Sequence, residues 1–221
     1  MDFFHFHIQM IQRSTGRSAV AAAAYRSGAR IVNTWDGTVH DYTRKQHVVY
    51  NEVMLPANAP PHFADRSMLW NSIEWAEKKR DAQLAREIEM ALPKELPRAA
   101  QIKLVRKFVQ KEFVDAGMCA DVAIHDKEDG NPHAHILLTV RPLNADGSWA
   151  QKSRLVYDLD DAGQRIALPN GRWKCHKENV VDWDHRQNAE KWRKAAAETI
   201  NEALREYEGK TFTLWLPFCI I

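Results

Sequence analysis

The sequence predicts an α+β domain with an antiparallel central sheet and helices packed on it. Three observations carry that prediction: strand-length segments at residues 4–11, 84–92, 119–125 and 133–140, longer stretches of helical apolar spacing between them, and turn residues placed for hairpin returns. Of 221 residues, 45% are apolar and 27% charged, with only 9 Gly and 9 Pro. That composition suits a packed domain and excludes disordered and fibrous classes.

Each element has a local reason. Residues 4–11 place Phe4, Phe6, Ile8 and Met10 on one side and His5, His7 and Gln9 on the other, the period of a half-buried strand. Ser14-Thr15-Gly16-Arg17-Ser18 offers N-cap side chains to a slim helix over 19–27, which holds five alanines and is followed by Gly28 at C′. Residues 31–42 read as a hairpin around Asp36-Gly37, and 46–54 as a strand closed by a proline-rich loop at 56–61. An amphipathic helix over 64–79 turns Leu69, Trp70 and Ile73 inward.

Residues 84–92 alternate again, with Glu87 and Glu89 on one face, Ile88 and Met90 on the other, and Pro93 as the stop. A helix over 97–116 starts with Pro97 near N1, spaces Ile102, Val105, Phe108, Val109 and Phe113 for burial, and is capped by Gly117. Residues 119–125 and 133–140 form two strands joined by the turn region 126–132. The pattern weakens over 142–181, where Pro169-Asn170-Gly171 signals a small hairpin. A long helix covers 185–207, and 211–221 is an apolar tail that reads as a final strand or a terminal extension. With no repeat or linker, residues 1–221 are expected to form a single domain.

Several classes fall away. Three cysteines, Cys119, Cys175 and Cys219, are too few and too scattered for a disulfide framework or a zinc ribbon. No apolar stretch reaches membrane-spanning length, and Met1-Asp2-Phe3 lacks a basic leader, so a cytoplasmic protein without a membrane span is expected. Gly209-Lys210-Thr211 imitates the end of a phosphate loop, but residue 204 is Leu where that motif needs Gly. Net charge is only +2, yet residues 13–47 hold Arg13, Arg17, Arg26, Arg30, Arg44 and Lys45 against Asp36 and Asp41. That local excess admits a polyanion partner as readily as a solvated basic face.

Centring the hairpin turn on Asp129 sets His125 opposite His133. His125, His133 and His135 then share one face, while Val122, Ile124, Ile136, Leu138 and Val140 share the core face. Opposed Cβ atoms lie roughly 5 Å apart, which suits three ring nitrogens meeting one divalent cation. Imidazole alone does not choose among zinc, nickel, manganese and iron. Three ligands leave positions open for substrate. Glu87 and Glu89 could orient a ligand histidine, complete the shell or accept a proton; a solvated strand face is the competing reading.

The string from His125-Asp126 through Gly130-Asn131-Pro132-His133-Ala134-His135-Ile136-Leu137-Leu138-Thr139 resembles the HUH signature of single-strand DNA endonucleases, and more specifically the MobA/MobL relaxases of mobilisable plasmids. Phe6-His7, the block from Ser18 to Gly28 with Tyr25, and Ala85 to Pro93 agree with the same family, so the likeness runs from the first strand to about Arg141 and weakly into the helix from Trp192 to Asn201. The resemblance implies an HUH relaxase-like fold and a metal-dependent strand transferase that nicks and rejoins single-stranded DNA at an origin of transfer. Tyr25 matches the nucleophile that forms a 5′-phosphotyrosine, with Glu87 and Glu89 beside the metal ligands His125, His133 and His135. The implied cofactor is a divalent ion, magnesium or manganese first, with zinc or nickel as alternatives. Arg17, Arg26 and Arg30 are candidate DNA contacts near the nucleophile, and Tyr42 and Tyr50 are assigned to structure. Implied partners are accessory relaxosome proteins and the coupling protein of a conjugative secretion system. A rolling-circle replication initiator and a non-catalytic module binding metal and single-stranded DNA are the alternatives.

Overall fold

Five of the alternating segments pair into one antiparallel sheet. The computed structural model describes residues 4–128 and 130–208. Its strands are β1 (Phe6–Gln12), β4 (Val48–Met54), β5 (Gln83–Ala91), β6 (Ala120–His125) and β7 (His133–Thr139), in the order β1-β5-β7-β6-β4. A small hairpin of β2 (Arg30–Val32) and β3 (Val39–Asp41) forms where Asp36-Gly37 predicts it. A second two-stranded unit, β8 (Ser153–Tyr157) with β9 (Cys175–Asn179), stands apart from the main sheet.

Four helices sandwich the sheet. On the face of Ile88, Val122, Ile124, Ile136 and Leu138 lie α3 (Arg98–Val109) and α4 (Gln187–Glu208), which contribute Leu104, Val105, Phe108, Trp192, Ala196 and Ile200 to one core. On the other face, α1 (Ala19–Ser27) and α2 (Arg66–Ala76) build a second core from Val20, the α1 alanines, Leu69, Trp70, Ile73, Ala85 and Leu137. This second layer is not legible in strand periodicity. It buries every residue of β6 and makes the polar face of the hairpin an enclosed surface.

Several boundaries differ from the sequence expectation for local reasons. The helix expected over 64–79 is α2 alone, because the Asp65 side chain accepts from Met68 N and so starts the helix, with a 3-10 turn at Pro61–Ala64 before it. Pro97 is the N-cap of α3 and not N1. The helix expected to run to residue 116 passes at Val109 into a π-turn over Gln110–Val114, whose extra residue puts Phe113 and Val114 both inside. The weak region 142–181 holds a longer ribbon than the small hairpin expected there: beyond β8 and β9, bridges join Leu159 to Arg165 and Ala167 to Trp173. The Gly209-Lys210-Thr211 string, the apolar tail, Cys219, Met1-Asp2-Phe3 and Asp129 lie outside the described residues.

Candidate active site

The β6–β7 hairpin adopts the register expected of it: His125 opposes His133, and Ala123 opposes His135. Across β5, Glu89 opposes His135 and Glu87 opposes Leu137; across β1, His7 opposes Glu89 and Gln9 opposes Glu87. Opposed residues share a face, so four strands aim their polar side chains at one place. The three imidazole centroids are 4.6, 5.1 and 5.5 Å apart, and one nitrogen from each ring lies within 4.8 Å of the other two. His133 Nδ1 faces Asn131 O at 3.0 Å and His135 Nδ1 faces Glu87 Oε1 at 3.2 Å. A proton on each Nδ1 makes Nε2 the lone-pair nitrogen, the state a cation requires. Burial pushes the His125 pKa down to about 4 and lowers that of His135 in spite of Glu87, so both are neutral near pH 7. The donor set fits one divalent ion.

Glu87 is the hub behind His135. Its side chain is 1% exposed and takes charge or hydrogen bonds from the Arg26 guanidinium, Arg17 Nη2 at 3.6 Å, Gln9 Nε2 at 2.7 Å and His135. Burial alone would raise its pKa, but the His135 hydrogen bond and Arg26 outweigh burial and hold it at about 2. Glu89 is more open, with His5 Nε2 at 3.5 Å and His135 Nδ1 at 3.9 Å.

Tyr25 sits in the last turn of α1, its residue 46% exposed. The start of that helix is clamped: Ser18 Oγ accepts from Ala21 N at 3.1 Å, and the buried Glu74 carboxylate accepts from Ser18 Oγ and Ala19 N, each at 2.8 Å. Arg13 Nη2 neutralises Glu74 at 2.9 Å. The end is closed by Gly28 at φ +67°, a left-handed position that a Cβ would strain while also meeting Val48 Cγ2 at 3.4 Å. His125 Nε2 lies 2.6 Å from Arg26 O, which places the last turn of α1 directly against the histidine cluster.

The structure therefore gathers Tyr25, Glu87, Glu89, His125, His133, His135, Arg17 and Arg26, with Arg17 and Arg26 spent on Glu87. Arg30 stands apart on β2, exposed and 3.8 Å from Asp41. Tyr50 lies away from the cluster and bonds Glu52, whereas Tyr42 packs edge-on against Tyr25 with centroids 5.2 Å apart. Gln9 also belongs to the site as a donor to Glu87, and its only sequence signal is its alternation with His5 and His7. Lys45, which the sequence marks only as one of the local positive charges, reaches Tyr25 O with Nζ at 2.9 Å and lies 3.6 Å from the Tyr25 ring centroid. Burial, with Arg26 and Lys127 nearby, lowers the Lys45 pKa to about 8.

Comparison with known proteins bears on this geometry. The MobA/MobL family profile matches residues 17–211. The chain is 41% identical over 182 residues to a conjugal transfer protein TraA of Agrobacterium fabrum, covering 78% of this chain and 16% of TraA. It is 32% identical over 222 residues to a probable mobilization protein MobA of Bifidobacterium longum, covering 93% of this chain and 39% of that protein. A solved structure described as the molecular basis of vancomycin resistance transfer in Staphylococcus aureus matches with a TM-score of 0.79 and 29% identity, over 94% of this chain and 95% of that one. The chain thus spans about a sixth of the TraA length and well under half of MobA.

Proposed function

The chain belongs to the MobA/MobL family, and from that premise we propose that this domain, residues 1–221, is a relaxase that nicks and rejoins single-stranded DNA at an origin of transfer through a bond from Tyr25 to the 5′ phosphate. The observation that carries the reading is the seat of the Tyr25 turn on the histidine cluster through Arg26 O and His125. A rolling-circle initiator would share this chemistry, but the relatives are conjugal transfer and mobilization proteins.

In this reading the Tyr25 Oη–P bond forms as the P–O3′ bond breaks, the phenolic proton passes to solvent, and the 3′ oxygen ends as a hydroxyl. A protonated phenol is a weak nucleophile. His125, His133 and His135 would hold a divalent cation, magnesium or manganese first, which when bound would supply Lewis-acid polarisation to the scissile phosphate. Glu87 fixes the His135 tautomer and ring orientation; its depressed pKa and cationic partners suit it to positioning and not to taking a proton. Glu89, the more open carboxylate, is the one placed to exchange protons with solvent. Arg30 is the arginine with reach to spare for a phosphate, while Arg17 and Arg26 act first as counter-charges to Glu87. The retained bond energy of the phosphotyrosine lets the same site reseal the strand. Accessory relaxosome proteins and a secretion coupling protein complete the proposed setting. No helix among the described residues is long and apolar enough to cross a membrane.

The test is incubation with single-stranded oligonucleotides covering candidate origins, with manganese or magnesium, read on a denaturing gel. A slower covalent band that disappears with chelator, in Tyr25→Phe and in His133→Ala is expected. A band that persists in Tyr25→Phe would remove the nucleophile assignment, and one that persists in His133→Ala would remove the metal site. Tight binding with no band on any origin would favour a non-catalytic module.

A further inference from the structure

The last carbonyls of a helix have no partners within it. In α1, Ala24 O is taken by Gly28 N and by Ala29 N at 3.0 Å, which is ordinary capping. The next two are taken by side chains from elsewhere: Tyr25 O by Lys45 Nζ at 2.9 Å, and Arg26 O by His125 at 2.6 Å. The turn carrying the phenol is therefore completed by a lysine and a histidine of the site.

Lys45 does more than cap. Its ammonium lies 3.6 Å from the Tyr25 ring centroid, the range of a cation–π contact, and 3.5 Å from His125 Nε2. One charge thus touches the backbone of Tyr25, its ring and an imidazole of the cluster. The segment that presents it is anchored by Lys45 N to Tyr42 O at 2.9 Å and Tyr42 N to Ala29 O at 3.1 Å, and the Tyr42 ring supports Tyr25 from the side. Two neighbouring cations are spoken for: Arg17 and Arg26 face Glu87. Among the described residues Lys45 forms no ion pair with a carboxylate, although it is half-buried. A partly desolvated cation without a counter-charge costs free energy that an arriving anion recovers.

We infer that Lys45 is a positioning residue for strand transfer, pinning the Tyr25 ring by its carbonyl tether and ring contact and presenting a positive charge to the phenoxide and phosphate as they meet. The inference rests on the reading of Tyr25 as the nucleophile. Lys45 keeps its protons throughout; the bond changes are those given above. Its effect is on the rate of the chemical step, because a misplaced phenol loses alignment while DNA contacts elsewhere persist.

The experiment compares wild type, Lys45→Met and Lys45→Arg in the full chain. Single-turnover adduct formation is followed at saturating origin oligonucleotide with manganese, and affinity by fluorescence anisotropy. Lys45→Met should slow the adduct step by about 10- to 100-fold with Kd changed by less than about threefold, and Lys45→Arg should recover most of the rate. A Lys45→Met rate within twofold of wild type overturns the inference and leaves the nucleophile reading intact. A loss that Lys45→Arg does not rescue, with Kd weakened equally, assigns Lys45 to general DNA binding and overturns it as well. If wild type forms no adduct, the nucleophile reading fails. NMR then decides the pin itself: NOEs from the Lys45 ε-methylene to the Tyr25 ring, assigned with Tyr25→Phe, are expected, and their absence overturns it.

Discussion

The β6–β7 hairpin and the β8–β9 ribbon share antiparallel pairing and little else. All of β6 and all but the first residue of β7 are buried, with a helix layer on each side, whereas every residue of β9 and most of β8 are exposed. The first is held by two cores. The second is held by its own cross-strand contacts, such as Arg154–Glu178 at 2.7 Å, Lys174–Asp158 at 3.2 Å and Arg165 over Tyr157 at 4.1 Å. The difference teaches where this molecule can hold chemistry in fixed geometry: three imidazoles meet on the strands that the rest of the fold presses from both sides, and local openings concentrate where few apolar contacts resist them.

Unequal core substitutions should break the comparison first if it is wrong. Ile136→Ala in β7, a fully buried position, is expected to cost about 2–5 kcal/mol in a urea titration, while Leu155→Ala in β8, 57% exposed, stays within about 0.5 kcal/mol. Similar losses would mean that the ribbon has packing of its own. Thiol chemistry draws the same line. Burial drives the Cys119 thiol up to about 12, with only partial relief from its Thr139 hydrogen bond. The raised pKa keeps it neutral at pH 8 and up through that value, so its thiolate is about a thousandfold scarcer than that of an ordinary thiol. In a Cys219→Ser background, a disulfide reagent at pH 8 should titrate the exposed Cys175 promptly and Cys119 only on unfolding.

Two smaller effects sharpen the contrast. Glu87→Gln should weaken manganese affinity about 10- to 100-fold by calorimetry, since it replaces the charged carboxylate that faces His135 Nδ1 with a neutral amide, whereas Glu178→Gln on the ribbon leaves affinity unchanged. Equal affinities for wild type and Glu87→Gln would detach Glu87 from the metal. Arg154→Ala should alter global stability by less than about 1 kcal/mol, because it breaks an exposed pair, yet speed tryptic cleavage within the ribbon as read by mass spectrometry.

The same division explains what was legible in the sequence. Alternation and turn residues place the five sheet strands to within a few residues, and the His125–His133 register follows because a one-residue slip would turn Ile124 and Ile136 outward. Along the ribbon no face is buried, so Leu155, Tyr157 and Trp173 carry no periodic signal and only the turn at Pro169-Asn170-Gly171 shows. At the site, the histidines, Glu87 and Tyr25 were readable from period and family likeness. Lys45 was not, because its role depends on a tertiary contact between the segment after β3 and the end of α1 that no local pattern encodes.

One further consequence lies in the alanines of α1. Ala19, Ala22, Ala23 and Ala24 are buried among Ala85 and Leu137 of the sheet and Leu69 and Ile73 of α2. The thickness of those methyl groups gauges how high the helix rides, and so how far the phenol stands above the imidazoles. Each added methylene there acts as a shim, lifting the Tyr25 ring while the residues around it keep their identities.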